Sequence, residues 1–256
     1  MNSEDLVLSR IHDLTELTRK RKSAVHSQFM SAGELCAFSR FNVPHDVVCT
    51  LWGGYPNAER RCVLVYPDFI CPESDAEFSE LAEIDILYCR NTAGAELSHR
   101  DYLGALMSLG IERKTLGDIL THEDEAVIFL KKSITPYVLE NLDKVSNTRL
   151  KIDVINNASN DFITKFAPKK EERIIIIPSL RIDCIIAEVY SLSRTEAQRI
   201  VTSGMVRLNH ADCLKTDKLL FDGDTVSVSG KGRFQIGTTL GTTKKDNLRL
   251  SVFVYV

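Results

Sequence analysis

Apolar residues in the first third of the chain change from helical spacing to strand-like runs. Intervals of three and four between apolar positions predict a first helix over about residues 3–22, and a capping-box pattern predicts a second over about 32–42. Two runs rich in β-branched and apolar residues, 47–52 and 61–66, flank a cluster of turn formers at 53–57. The N-terminal region is therefore predicted to contain helices and a hairpin.

The central part of the chain alternates between strand-like and helical patterns. In chain order the predicted elements are a strand at 84–89, a helix at 98–109, short strands at 117–120 and 126–130, a helix at 133–144 and a strand at 150–155. This βαββαβ order is that of the ferredoxin-like arrangement, which also underlies RRM domains. The strand at 126–130 carries one phenylalanine and no basic residue, so a surface that stacks RNA bases is not expected on it.

A polar stretch without periodicity, residues 156–172, is the predicted linker. It separates a middle domain at 81–160 from a C-terminal domain at 178–256, and the N-terminal helices and hairpin occupy 1–80. The predicted fold class is α+β.

The strongest local signals lie in the C-terminal domain. Ser193, followed three residues later by Glu196, predicts the start of a short helix over about 194–203. Arg194 and Gln198 lie four residues apart and share the exposed face of that helix. The helix start combines free backbone N–H groups, a hydroxyl and a guanidinium, a combination that suits a phosphate group.

Several residues after position 180 agree in order and spacing with a known RNA-binding domain. They are Arg181-Ile182-Asp183, Leu192 to Gln198, Gly204-Met205-Val206, Asn209, Asp222-Gly223-Asp224 and Lys231 to Phe234. This pattern resembles the S4 (alpha-L) RNA-binding domain, and the resemblance implies that the chain binds RNA. One departure is Asn209-His210-Ala211, which stands where the family has an Asn-Gly turn.

The residues expected to contact RNA combine cations, hydrogen-bonding groups and an aromatic ring. They are Arg181, Ser193, Arg194, Gln198, Arg199, Asn209, Lys215, Lys231, Arg233 and Phe234. Arginine is favoured because its guanidinium holds phosphate oxygens at two points. For Arg181 and Arg194 the alternative is ion pairing inside the domain, for example with Asp183 or Glu196.

The expected contacts near residue 232 also have alternatives. Lys231 and Arg233 flank a glycine on a predicted loop, where cations either reach a second stretch of RNA backbone or are merely solvated. Phe234 either stacks on a base or packs beneath the small domain.

The sequence before the linker carries further motifs. They are Gly53 to Arg61, Leu97 to Leu106, Leu109 to Arg113 and Leu116 to Leu120. Together with the C-terminal domain they resemble the bacterial YlmH family over nearly the whole chain. The resemblance implies a cytoplasmic, non-catalytic factor that binds free large ribosomal subunits carrying stalled peptidyl-tRNA and acts in ribosome-associated quality control. The expected partners are 23S rRNA and peptidyl-tRNA, and a monomer is expected.

Charge and composition narrow the mode of RNA binding. The 256 residues hold 32 Lys+Arg against 35 Asp+Glu, a net charge of -3, which excludes binding to polyanions through overall positive charge. Residues 180–256 hold 11 basic and 8 acidic residues, so an RNA site is expected to be local to that region. The seven dispersed cysteines predict reduced thiols and offer no zinc-ligand pair, so neither a metal nor a cofactor is expected. No apolar run is long enough to span a membrane.

Two other functional classes remain open. An RNA-modifying enzyme of the pseudouridine synthase or methyltransferase type, tethered by its S4 domain, requires a positioned Asp in a pocket or a glycine-rich cofactor loop before the linker. Neither motif is recognised in the sequence. A protein-binding scaffold in division or photosynthetic assembly requires partner capture that is insensitive to ribonuclease.

Overall fold

The computed structural model describes residues 3–93, 96–155, 160–166, 170–209, 211–243 and 245–255. Contacts divide the chain into two units, residues 1–167 and 168–256. Each unit combines helices with antiparallel strands, so the predicted α+β class is confirmed.

The N-terminal part of the first unit is a three-stranded sheet with helices. Its elements are α1 (Ser3–Arg21), β1 (Val25–His26), α2 (Ala32–Leu35), a 3-10 helix (Cys36–Arg40), β2 (Val47–Trp52), β3 (Cys62–Pro67) and α3 (Asp75–Leu81). The strand order is β1-β3-β2, and Ile11 of α1 shares a core with Val63 and Val65 of β3. The predicted helix at 32–42 is instead one α-helical turn followed by the 3-10 helix, in a segment whose Gly33 is a poor helix former.

The middle part of the first unit contains a five-stranded antiparallel sheet. Its elements are β4 (Ile84–Asn91), α4 (His99–Ser108), a 3-10 helix (Arg113–Thr115), β5 (Leu116–His122), β6 (Glu125–Lys131), a 3-10 helix (Lys132–Ile134), α5 (Thr135–Asn141), β7 (Lys144–Val145) and β8 (Thr148–Ile155). The strand order is β5-β6-β4-β8-β7. The helix predicted at 133–144 is shorter, since a 3-10 turn precedes it and β7 begins at Lys144.

Strand β6 is covered on both faces. Its residues 126–131 are all buried. Ile128 shares a core with Leu106 of α4, whereas Phe129 shares another core with Phe29 and Leu64 of the N-terminal part. The N-terminal and middle parts therefore fold around common apolar residues.

The predicted linker at 156–172 contains regular structure. Residues 156–159 and 167–169 of that stretch lie outside the described residues, but α6 (Asn160–Lys165) is a helix and the next strand begins at Lys170. Ile163 and Phe166 are buried in the same core as Phe129. Burial of these two residues ties the helix to the first unit, and the boundary between the units follows it.

The second unit is a six-stranded antiparallel sheet with two helices. Its elements are β9 (Lys170–Ile177), α7 (Ile182–Val189), α8 (Arg194–Thr202), β10 (Val206–Leu208), β11 (Ala211–Asp212), β12 (Thr225–Val228), β13 (Gly232–Thr242) and β14 (Leu248–Tyr255). The strand order is β11-β10-β12-β13-β14-β9. Ile185 of α7 and Val201 of α8 share one core with Val226 of β12, which fixes both helices on the sheet.

The described residues contain neither a membrane-crossing helix nor a group of metal-binding side chains. None of the described helices has the length and apolar character needed to cross a membrane. Within the same part of the chain, no group of His, Cys, Asp and Glu side chains is arranged to hold a metal ion.

Candidate nucleic-acid interface

The carboxylate of Asp183 lies at the centre of a polar cluster in the second unit. Asp183 is in the first turn of α7, and its side chain has no exposed surface. Arg181, the residue just before that helix, donates from Nε to Oδ1 at 3.0 Å and from Nη2 to Oδ2 at 3.1 Å. The two residues thus form a two-point ion pair, the geometry in which arginine and a carboxylate interact most strongly.

Helix α8 brings two more donors to the same carboxylate. Gln198 donates from Nε2 to Asp183 Oδ2 at 2.9 Å, and Arg194 donates from Nε to the same oxygen at 3.4 Å. Arg194 and Gln198 reach it together because residues four apart lie on one face of a helix. The Asp183 carboxylate therefore joins the start of α7 to the start of α8.

Asp183 stays charged at neutral pH despite its burial. Burial alone raises the pKa of a carboxyl group, but the hydrogen bonds from Arg181 and Gln198 outweigh it and hold the pKa of Asp183 at about 2. The hydrogen bond from Arg181 to Asp183 raises the pKa of Arg181 in turn. One buried negative charge thus faces two guanidinium groups, which leaves a local excess of positive charge.

Both guanidinium groups still reach solvent. The side chain of Arg181 is 31% exposed and that of Arg194 is 56% exposed, although both are paired with Asp183. The sequence left ion pairing inside the domain as the alternative for these arginines. The structure shows this pairing, with Asp183 as the partner. It fixes the arginines in place without covering them.

The N-terminus of α8 has the predicted cap. Ser193 Oγ accepts a hydrogen bond from the Glu196 N–H at 3.2 Å, and Ala197, Ile200 and Val201 form the buried face. The hydroxyl of Ser193 and the side chain of Arg194 lie beside each other at this exposed tip.

The segment 215–221 runs beside the start of α7. Ile182 N–H donates to the Lys218 carbonyl at 2.8 Å, and Arg181 and Leu219 form an isolated antiparallel bridge. Both Lys215 and Lys218 of this segment are exposed. Lys218 was not among the predicted contacts. It lies 37 positions after Arg181, and no local sequence pattern indicates that the two residues are close in space.

Asn209 has a clear structural role. Its φ of 48° is in the left-handed region, and its side chain donates to Asp224 Oδ1 at 2.7 Å and accepts from the Thr225 N–H at 2.9 Å. Asparagine tolerates this backbone conformation better than most residues. Asn209 therefore shapes the turn after β10, while its neighbour His210 lies outside the described residues.

The contacts predicted near residue 232 are in different environments. Lys231 is exposed in the turn between β12 and β13. Arg233 lies within β13 rather than on a loop, and its guanidinium carbon is 4.3 Å from the centre of the Tyr255 ring. Phe234 is fully buried in the core and meets Tyr190 edge-on at 5.9 Å. The ring of Phe234 packs inside the unit and cannot stack on a base. The prediction that Phe234 contacts RNA is therefore wrong, and the residue belongs to the core.

A second polar cluster lies in the first unit, where the carboxylate of Asp118 on β5 is buried. Asp118 Oδ2 accepts hydrogen bonds from Tyr55 Oη and from the Glu59 N–H, both at 2.7 Å, and Oδ1 accepts one from the Arg60 N–H at 3.0 Å. Burial raises the pKa of Asp118 although these hydrogen bonds oppose the shift. The carboxylate holds the loop between β2 and β3 against β5.

Two arginines beside Asp118 donate to backbone carbonyl groups. Arg60 donates from Nε to the Leu116 carbonyl at 2.9 Å and from Nη2 to the Arg113 carbonyl at 3.1 Å. Arg113 donates from Nη1 to the carbonyls of Leu116 at 3.0 Å and Gly117 at 3.1 Å. Burial and the nearby charge of Arg60 lower the pKa of Arg113 to about 10.

Comparisons with known proteins place most of residues 3–159 in two family models. Residues 3–70 match a family model described as "YlmH, N-terminal", and residues 74–159 match one described as "Putative RNA-binding domain in YlmH". A Bacillus subtilis (strain 168) protein named "Ribosome-associated protein quality control protein P2" is 28% identical over 225 residues, which is 88% of this chain and 85% of that protein. The solved structure titled "Cell division protein ylmH from Streptococcus pneumoniae" aligns with 60% of this chain and 92% of its own, with a TM-score of 0.48 and 20% identity.

Proposed function

This chain belongs to the YlmH family, and we propose that it is a non-catalytic factor that binds structured RNA of the large ribosomal subunit in ribosome-associated quality control. The proposed partners are 23S rRNA and the stalled peptidyl-tRNA on that subunit, in the cytoplasm, with the protein acting as a monomer. The name of the Bacillus subtilis relative supports the quality-control role.

The observation that carries the proposal is the pair of arginines on Asp183. A guanidinium that is already oriented loses little conformational freedom when it binds a phosphate, which favours affinity. The exposed N-terminus of α8 adds backbone N–H groups and the positive end of the helix dipole to the same surface. These groups recognise the RNA backbone and its shape rather than the base sequence.

The proposed contact set follows the described side chains. It contains Arg181, Ser193, Arg194, Gln198, Arg199, Lys215, Lys231 and Arg233, with Lys218 added from the structure. Asn209 shapes the turn beside this set, and Phe234 supports it from the core.

We also propose finer descriptions of the domains. The strand order β5-β6-β4-β8, with α4 and α5 between the strands along the chain, supports a ferredoxin-like middle domain at 81–160. The capped α8 and the strands that follow it support an S4 domain at 178–256, after helices and a hairpin at 1–80.

The competing enzyme proposal gains little from the first unit. A pseudouridine synthase requires a positioned Asp, and Asp118 is positioned and buried. However, three donors of the protein already bind both carboxylate oxygens and join them to the loop between β2 and β3. The geometry favours a role in holding the loop.

The test is co-sedimentation of the full chain with large ribosomal subunits. The R181A/R194A variant is expected to lose at least tenfold in affinity, and the slope of log affinity against log salt is expected to fall by about 1.4 to 1.8 for two phosphate contacts. The matched control is R173A/R249A, which removes two exposed arginines from β9 and β14. Equal losses in both variants, or none in R181A/R194A, would contradict the proposal.

A further inference from the structure

We propose that Arg60 and Arg113 form a second phosphate-binding site, on the first unit, for the backbone of structured RNA. The idea rests on the proposed RNA-binding function, but it concerns a different surface. Arg60 belongs to the loop between β2 and β3, and Arg113 precedes β5. Both residues fall in the motifs that resemble the YlmH family, and the proposed function of the second unit gives those motifs no role.

The two guanidinium groups are held close together. Arg60 Nε and Arg113 Nη1 donate to the same oxygen, the Leu116 carbonyl, at 2.9 and 3.0 Å. Two nitrogens bonded to one oxygen lie within about 6 Å of each other, a distance at which like charges repel appreciably near a protein surface. The pair is fixed because Asp118 and the backbone carbonyls anchor the surrounding loop.

The hydrogen bonds of this pair go to neutral carbonyl groups. Asp118 attracts both arginines and Glu34 attracts Arg60, but Asp118 accepts its hydrogen bonds from Tyr55 and from two backbone N–H groups rather than from a guanidinium. Among the described residues, none accepts a hydrogen bond from Nε or Nη2 of Arg113. An anion with several acceptor oxygens would satisfy these donors and reduce the repulsion between the two cations.

The N-terminus of α4 adds to the positive character of this surface. His99 and Arg100 begin that helix, and both are exposed. The ring of His99 is partly enclosed although the residue reaches solvent, and this burial and the charge of Arg113 lower its pKa, whereas Asp118 and Glu59 raise it. A neutral imidazole at this position still offers an N–H donor to an anion.

Strand β6 of the middle sheet is covered on both faces. An RRM-like sheet reads RNA by stacking bases on an exposed face. Here the residues of β6 from 126 to 131 are buried, with helices on one face and the N-terminal part on the other. Strand β6 therefore offers RNA no stacking surface, and the arginine pair, in the loop between β2 and β3 and just before β5, offers a contact of a different kind.

The experiment uses the full chain carrying R181A/R194A, so that binding through the second unit is weakened and the contribution of the first unit can be measured. Affinity for a fluorescein-labelled 20-base-pair RNA duplex is measured by anisotropy in about 50 mM salt, before and after adding Arg113→Gln. The added change is expected to lower the remaining affinity at least fivefold and to reduce the salt slope by about 0.7 to 0.9, as for one phosphate contact.

The matched control is Lys114→Gln, which removes the same charge from the next residue. Lys114 is exposed and pairs with Glu112 at 2.6 Å. The control is expected to change the affinity less than twofold. Arg113→Lys keeps the positive charge but replaces the planar guanidinium and its several donors with one ammonium group. The loss of affinity is expected to lie between those of Lys114→Gln and Arg113→Gln.

Two results would overturn the site. One is no measurable binding of the duplex in the R181A/R194A background. The other is an equal effect of Arg113→Gln and Lys114→Gln, whether large or zero. Urea denaturation of Arg113→Gln and Arg113→Lys separates a folding defect from a binding defect. The urea midpoint of Arg113→Lys is expected to be unchanged, so a reduced affinity in that variant reports on binding alone. Co-sedimentation of R181A/R194A with large ribosomal subunits tests the proposed function, whereas duplex binding by Arg113→Gln tests the second site. Either proposal can therefore fail while the other stands.

Discussion

Arg181 and Asp183 are two residues apart and form a two-point ion pair in which the carboxylate is fully buried and the guanidinium remains 31% exposed. The pair spans the first turn of α7, where Asp183 also receives Gln198 and Arg194 from α8. One carboxylate therefore sets the position of two exposed cations. This relationship leads to the first two predictions.

Replacing Asp183 by Asn is expected to separate positioning from charge. The variant removes one buried negative charge and leaves the exposed arginines unbalanced, so its affinity for a random RNA duplex should be unchanged or higher. Its affinity for large ribosomal subunits should fall at least fivefold, because the arginines lose their common anchor. The free energy of unfolding should fall by about 1 to 3 kcal/mol, since a charged hydrogen-bond acceptor is lost. Asp212→Asn is the control, because Asp212 pairs with Arg207 on the surface and both side chains are mostly exposed.

Acid should destabilise the second unit through Asp183. Its folded pKa of about 2 is below the ordinary value of 3.8, so its contribution is complete above about pH 4 and is lost as the pH falls toward 2. A shift of this size corresponds to about 2 kcal/mol.

Hydrogen exchange of peptides from α7 and α8, corrected for intrinsic exchange rates, measures this loss directly. Fluorescence of Trp52 is unsuitable because it reports on the first unit. In Asp183→Asn the protection of these helices should lose most of its dependence on pH between 4 and 2. A dependence identical to that of the unsubstituted chain would show that other carboxyl groups cause it.

Substitutions at Ser193 are expected to distinguish helix capping from RNA contact. Ser193→Ala removes the hydrogen bond to the Glu196 N–H and should lower the free energy of unfolding by about 1 kcal/mol. Ser193→Asp retains a good cap but places a negative charge beside Arg194, so it should preserve stability and weaken RNA binding by severalfold. Thermal unfolding and subunit co-sedimentation are measured on both variants. Ser193→Ala is expected to be the less stable variant, and Ser193→Asp is expected to be the weaker RNA binder.

Asn209 is expected to affect stability rather than RNA contact. Asn209→Ala loses both side-chain hydrogen bonds and forces a residue with a Cβ group into the left-handed region, which should cost about 1 to 3 kcal/mol. Asn209→Gly relieves the backbone and should cost less. Affinity per folded molecule should remain within twofold in both, and a large loss in Asn209→Gly at full folding would restore Asn209 to the contact set.

Local sequence signals predicted the elements that carry their own caps and periodicity. Helix α8 was predicted to within one residue because Ser193 marks its start and three buried residues mark its inner face. Helix α7 was missed because six of its eight residues are buried, which removes the alternation of polar and apolar positions, and because Arg181 provides no side-chain cap.

Contacts between residues that are far apart in the chain could not be predicted from local sequence patterns. The alternative of an Arg181–Asp183 ion pair was recognised because the residues are neighbours, but the return of Lys218 to α7 was not. The meeting of Arg60 with Arg113 joins residues 53 positions apart, and no local pattern encodes it. For the same reason the sequence did not predict that Phe29 and Leu64 cover the second face of the middle sheet.

The shared core of the first unit also limits how this chain can change during evolution. The two family-model matches end and begin within a few residues of each other, at 70 and 74, yet Phe29, Leu64 and Phe129 from both sides pack together. A recombination event at that junction would pair each half with a surface it was not selected to fit. The two parts are therefore expected to be inherited as a single block.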